Sequence, residues 1–174
     1  NIETVSGAKA LHRIYRDIRF SKNKTPYKNH WPISFKRATA KLRGSYYVHL
    51  QPGHNFLGCG FWGPEPKDLK RIRQQLSMFG DEFLSIINHK DFVKNFGELG
   101  GEKLKNGPKG FDKEDQYIEL LKYKQFLVGK EFTDKEVLSP NFVKEASKTF
   151  QLMRPFLNFM SEALTTDING EDLF

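Results

Sequence analysis

The stretch "SYYVHLQPGHNFLGCGFW", residues 45–62, decides the fold. Tyr46, Val48 and Leu50 share one face of an extended segment, and Tyr47 and His49 take the other. Pro52-Gly53 then turns the chain. On the return, Leu57, Cys59 and Phe61 alternate with Phe56, Gly58, Gly60 and Trp62. A β-hairpin with one apolar face follows. The two glycines leave room on the second face, first for close packing of a helix and second for a ligand.

Outward from the hairpin, the period changes. Residues 33–36 extend as a short strand before it. After Pro66, Leu69, Ile72, Leu76 and Phe79 recur at three and four residues, with Asp68 near the start, which predicts a helix. Asp81 is placed to cap a second helix carrying Phe83, Leu84, Ile86 and Ile87, and residues 91–96 suggest a third. A glycine-rich, charged connection spans 97–115. A helix over 113–123 and a strand within "KQFLVGKEF" (124–132) come next. The last helix is expected to open with Ser139 as cap and Pro140 in its first turn. Its stripe is Phe142, Val143, Ala146, Phe150, Met153, Leu157, Met160 and Leu164, with Pro155 kinking or dividing it. The tail 165–174 reads as frayed. Strands first and helices later predict an α+β domain, its antiparallel sheet of about four strands packed against several helices.

At 174 residues the chain suits one domain, 1–174, and sixteen phenylalanines supply ample core volume. It begins at Asn1, so a trimmed part of a longer protein is expected, lacking an N-terminal segment. One cysteine, Cys59, excludes an internal disulfide and a cysteine-rich zinc site. With no run long enough to span a bilayer, no membrane partner is expected and a cytoplasmic location is the default. The histidines do not fall at metal-ligand spacing, although His49 and His54 flank the hairpin turn. No P-loop or nucleophile-elbow motif is present. No cofactor, reaction or oligomeric state is defined by these residues.

The charge is uneven. From Lys9 to Arg43 eleven bases stand against Asp17 alone, a net +10, which leaves −3 for the rest of the chain. Such a block predicts a positive surface for phosphate, carboxylate or nucleic acid, or else a face neutralised by acids elsewhere in the fold. Its densest part is "RIYRDIRFSKNKTPYK", residues 13–28. The spacing over 11–20 fits a helix, which sets Arg13 and Asp17 at i and i+4. Its β-branched and aromatic content favours a strand, which sets Asp17 between Arg13 and Arg19, with Arg16 beside Ile14, Ile18 and Phe20. Asp17 then orients the arginines, and Arg16 needs an internal acid or backbone carbonyls as its partner. Lys24 and Lys28 lie on the following loop, with Tyr27 held by Pro26. Lys109, in "GPKGF", is a second loop lysine that would close over the first loop if the fold brings them together.

The run Arg13-x-x-Arg16-Asp17-x-Arg19-Phe20, then Lys24-x-Pro26-Tyr27-Lys28, resembles the signature of a bacterial family catalogued as domain of unknown function 2461. "YYVHLQPG", "GCGFWGPEP", "LKRIR", "PKGFDK" and "LTTDINGE" extend the likeness along nearly the whole chain. The resemblance implies an additional N-terminal stretch in most members. It implies no substrate, cofactor or catalytic residue.

Three functional expectations follow. The first is an anionic, phosphate- or carboxylate-bearing small ligand bound through Arg13, Arg16, Asp17, Arg19, Lys24, Tyr27, Lys28 and Lys109. The second is nucleic-acid binding, with Tyr27 and Trp31 stacking on bases. The third is an internal Arg–Asp network that specifies the fold, with function at a partner interface.

Overall fold

A computed structural model describes residues 2–3, 6–167 and 169–173. Four strands, β1 (Trp31–Lys36), β2 (Ser45–Leu50), β3 (Asn55–Phe61) and β4 (Phe126–Phe132), form one antiparallel sheet in that order. The hairpin register pairs Tyr46 with Cys59 and Val48 with Leu57, and β4 adds Val128 opposite Cys59. Those five side chains, with Phe126, make the buried face of the sheet. The turn is held at its tip by Asp134, whose carboxylate accepts from the Gly53 N–H at 2.9 Å and from the Asn55 side-chain amide at 2.6 Å. At Gly60 the backbone takes φ +131°, and a Cβ there would lie 2.0 Å from the Phe126 carbonyl oxygen. Only glycine fits.

Helices cover the buried face. After a short N-terminal helix, α1 (Gly7–Ala10), the two helices expected after Pro66 are joined end to end in α2 (Pro66–Ile87), with non-helical backbone at Phe79. Phe79, expected in the apolar stripe, is turned out by that break and is exposed. Gly80 beside it sits under the Tyr117 ring, with no room for a Cβ. Next comes α3 (Lys90–Phe96), its first turn capped by His89. The helix expected over 113–123 shrinks to α4 (Ile118–Leu121). Asp112 and Asp115 accept hydrogen bonds from the N–H groups of Glu114 and Tyr117, which offers this backbone a turn in place of a helix.

A short helix, α5 (Asp134–Val137), opens with a capping box between Thr133 and Glu136. The long helix α6 starts two residues later than expected and runs unbroken through Pro155 (Phe142–Thr165). Ser139 caps the turn before it, accepting from the Asn141 N–H at 3.2 Å. Val143 is exposed, while Phe156 and Phe159, outside the expected stripe, are buried against Phe83 of α2. Phe150 meets Tyr46 of the sheet with ring centres 4.8 Å apart. The core is therefore one layer between the sheet and the α2–α6 pair.

The C-terminal tail is more ordered than expected. The Asp167 carboxylate gathers the N–H groups of Asn169 and Glu171, and Asp172 pairs with Lys41. Ile168 and Phe174, also assigned to a frayed tail, lie outside the described residues, as does Asn1. Among the described residues no helix is long and apolar enough to cross a membrane.

Candidate functional site

Residues 11–20 are not a strand. Within this stretch the backbone bridges to the β1 edge at Leu11–Ile33 and then leaves the sheet as an irregular arm. The cause is local. Asp17 accepts from the Arg19 backbone N–H at 3.2 Å, which turns the chain at residues 19–20 instead of extending it. The arm folds back on itself through a Tyr15–Tyr27 bridge, with hydrogen bonds from Arg16 N–H to the Pro26 carbonyl and from Lys28 N–H to the Ile14 carbonyl. Basic side chains complete it: Lys24 Nζ donates to the Ile18 carbonyl at 3.0 Å, and Lys28 Nζ to the Arg13 carbonyl at 2.8 Å.

Arg19 grips Asp17 through Nε and Nη2, at 3.0 and 2.7 Å. This guanidinium, then the Arg19 N–H, and more weakly the charge of Arg13, hold the Asp17 carboxyl below its usual range. Asp17 thus orients Arg19, while Arg13 acts on it only at a distance. Arg16 is half-buried and donates to the Thr25 carbonyl and to Ser21 Oγ, so its internal partner is the backbone rather than an acid. Ile14 and Phe20, expected to share its face, are exposed.

Lys109 is exposed in the connection after α3, which is anchored at the β4 edge by the Gly100–Leu127 bridge. The arm rests on β1, the opposite edge. Among the described residues no hydrogen bond or ion pair joins Lys109 to the arm.

The basic block also divides. Arg37 is buried and donates to the carbonyls of Leu157 and Arg43, to Ser161 Oγ and to Asn158 Oδ1. Arg43 pairs with Asp68 at 2.9 Å. These bases fasten the β1–β2 connection to α2 and α6. The arm keeps Arg13, Arg16, Arg19, Lys22, Lys24 and Lys28, together with the exposed rings of Tyr15, Tyr27 and Phe20, the last 96% exposed at the tip, and Trp31 is exposed where the arm enters β1. The Tyr15 and Tyr27 rings lie 5.5 Å apart. None of the fold's main cavities is lined by residues 11–31.

The concave feature lies elsewhere, on the open face of the sheet. A groove of about 660 Å³ is floored by Gly58, Gly60 and Gly129 and walled by Phe56, Trp62 and Phe96. The helical layer is on the other side of the sheet, so the space above the glycines is not filled by a helix, contrary to the first expectation for them.

Tyr47 belongs both to this groove and to a row of histidines beside it. Its hydroxyl is 3.4 Å from His49 Nδ1, and burial pushes its ionisation up. His49 is stacked between His30 at 4.5 Å and Phe56 at 4.8 Å, with His54 at 5.4 Å. His12 Nε2 and Ser34 Oγ are hydrogen-bonded at 2.7 Å. Four of the five histidines therefore meet on one sheet face. Burial, then His49, Lys28 and Arg16, lower the pKa of His30.

The sequence offered one signal of this row, the pair flanking the turn. The pairing of His49 with Pro32, which brings His30 alongside, exists only in the sheet. Among the described residues no group of three or more His, Cys, Asp or Glu side chains is arranged to hold a metal ion. Cys59 is buried and its thiol pushed up by that burial, which suits a core residue and not a nucleophile.

A family model described as a conserved hypothetical protein (DUF2461) matches residues 1–159. No curated protein and no solved structure matches the chain.

Proposed function

The chain belongs to the DUF2461 family of conserved hypothetical proteins, and from that premise we propose that its arm binds single-stranded nucleic acid. One observation carries this reading. The arm presents Phe20, Tyr15, Tyr27 and Trp31 to solvent, interleaved with Arg13, Arg19, Lys22 and Lys24. Single strands are held by such a mixture, cations on the phosphates and aromatic faces on the bases. The arm's internal hydrogen bonds keep rings and charges displayed rather than collapsed. The exposure of those rings favours a strand over a compact anion.

The test is anisotropy of labelled oligouridine and oligothymidine at low and moderate salt. Binding falls steeply with salt, and Phe20→Ala or Tyr27→Ala weakens it about tenfold. Lys22→Ala lowers the salt slope by about one contact. Salt-indifferent binding, or ring variants that bind as wild type, defeats the reading. So does equal retention of anionic vesicles and oligonucleotides.

A small phosphate-bearing ligand is the second reading, favoured by the positive charge of Lys28 and Arg16 beside His30, whose pKa is lowered first by burial and then by His49, Lys28 and Arg16. Nucleotides and sugar phosphates raising the melting temperature, an effect lost in Lys28→Ala, would place it first.

A further inference from the structure

We propose that the groove on the open sheet face is a binding site for a planar nitrogen heterocycle that carries N–H donors and no negative charge, of the purine or cytosine type. This site is separate from the arm and does not rest on the arm's binding nucleic acid.

The floor is the first reason. Gly129 of β4 is exposed and Gly60 of β3 half-buried, so two neighbouring strands present bare backbone toward the groove, while Gly58, paired with Gly129, is buried beside the Phe56 ring. Any side chain there would stand up from the sheet; without one, a flat ring can lie on the peptide planes. The walls are the second. Phe56, Trp62 and Phe96 offer aromatic faces and edges, and Tyr47 is 5.8 Å from Phe56 by ring centres. Aromatic side chains at these separations hold a ring by offset or edge contacts. The volume, about 660 Å³, is that of a small-molecule site.

The polar groups select among rings. Among the described residues the lining holds one carboxylate, Glu98, and no lysine, arginine or histidine. Ser45 and Tyr47 add hydroxyls that donate or accept. A carboxylate accepts hydrogen bonds and repels anions, so the preferred ring edge is one with adjacent N–H donors. Guanine has such an edge, and adenine and cytosine have an exocyclic amine. Uracil, whose ring N–H is flanked by two carbonyls, matches poorly. The same lining argues against phosphate or carboxylate ligands in the groove, whatever the arm attracts.

The experiment is calorimetric titration of the protein with guanosine, adenosine, cytidine and uridine. These carry no phosphate, so a failure of the arm to bind a strand leaves the result untouched. Gly129→Leu blocks the groove without disturbing the fold, because a Cβ at Gly129 has its nearest neighbour, the Leu57 carbonyl oxygen, at 3.6 Å. Circular dichroism and the melting temperature check that the variant is folded. Expected are measurable binding of at least one amine-bearing nucleoside, loss of that binding by about tenfold or more in Gly129→Leu, and uridine as the weakest ligand. Glu98→Gln narrows the gap between guanosine and uridine. The proposal is overturned if no nucleoside binds, if folded Gly129→Leu binds as wild type does, or if uridine equals guanosine on the unaltered protein.

Discussion

Arg37 Nη1 donates to Ser161 Oγ at 2.9 Å, joining the residue after β1 to the buried side of α6. The same guanidinium reaches the Leu157 carbonyl at 3.0 Å, so an arginine from the most basic part of the chain is a core fastener. Burial lowers its pKa from the usual arginine value. Arg37→Met removes charge-assisted hydrogen bonds, taking this donor from Asn158 Oδ1 and leaving the Leu157 and Arg43 carbonyls to share the Ser161 hydroxyl. The expected loss is about 3 kcal/mol in urea unfolding. Arg19→Ala, which breaks an exposed pair with Asp17 and an exposed contact with the Phe20 ring, should leave the melting temperature unchanged. If both variants melt alike, the division of the basic block is wrong.

Gly60 and Gly129 differ although both lie on the open sheet face. A Cβ at Gly60 meets the Phe126 oxygen at 2.0 Å and needs a φ of +131°. Gly60→Ala should therefore cost more than about 2 kcal/mol, or prevent folding. Gly129→Ala should be neutral or slightly stabilising, by the lower entropy of its unfolded chain. Paired thermal melts decide it.

Acid should act in two stages. His30 has a lowered pKa in the folded protein, so the folded state resists its protonation more than the unfolded chain does. Stability is then full above about pH 6.5 and falls as the pH drops through the folded pKa. Asp17, Glu136 and Asp167 also have lowered pKa values, but they act below about pH 4, where hydrogen-bonded carboxylates are protonated at the expense of folding. Unfolding free energy against pH should show an upper step that vanishes in His30→Gln and a lower one that persists. A variant with the wild-type profile between pH 7 and 5 would contradict this.

The capping box at α5 sets the end of β4. Thr133 Oγ1 accepts from the Glu136 N–H, and the Glu136 carboxylate accepts from the Thr133 N–H at 2.8 Å. Thr133→Ala should lower stability by about 1 kcal/mol. Chemical denaturation reads this directly, and no change would mean that α5 forms independently of its cap.

The hairpin was legible because two signals agree there: alternation of apolar residues and a Pro-Gly turn. Helix α6 was legible by period, but its start was displaced because Ser139 caps a preceding turn. The α5 cap is visible as the run Thr133-x-x-Glu136, just beyond the strand expected over 124–132. Alternation alone predicts a strand over residues 11–20, because it carries no account of where each carbonyl finds its donor. Lysines 24 and 28 and the Asp17 turn meet those needs without a neighbouring strand.

Composition and periodicity by themselves determined the α+β class, the hairpin and the basic character of the first quarter of the chain. These depend on interactions between residues close in sequence. Only the tertiary structure decided that Arg37 and Arg43 face inward, that four histidines meet beside Tyr47, and that the glycines of β3 and β4 floor an open groove. Each of those depends on strand register and on which sheet face the helices cover. Register joins residues far apart in the chain, and a local pattern carries no record of it.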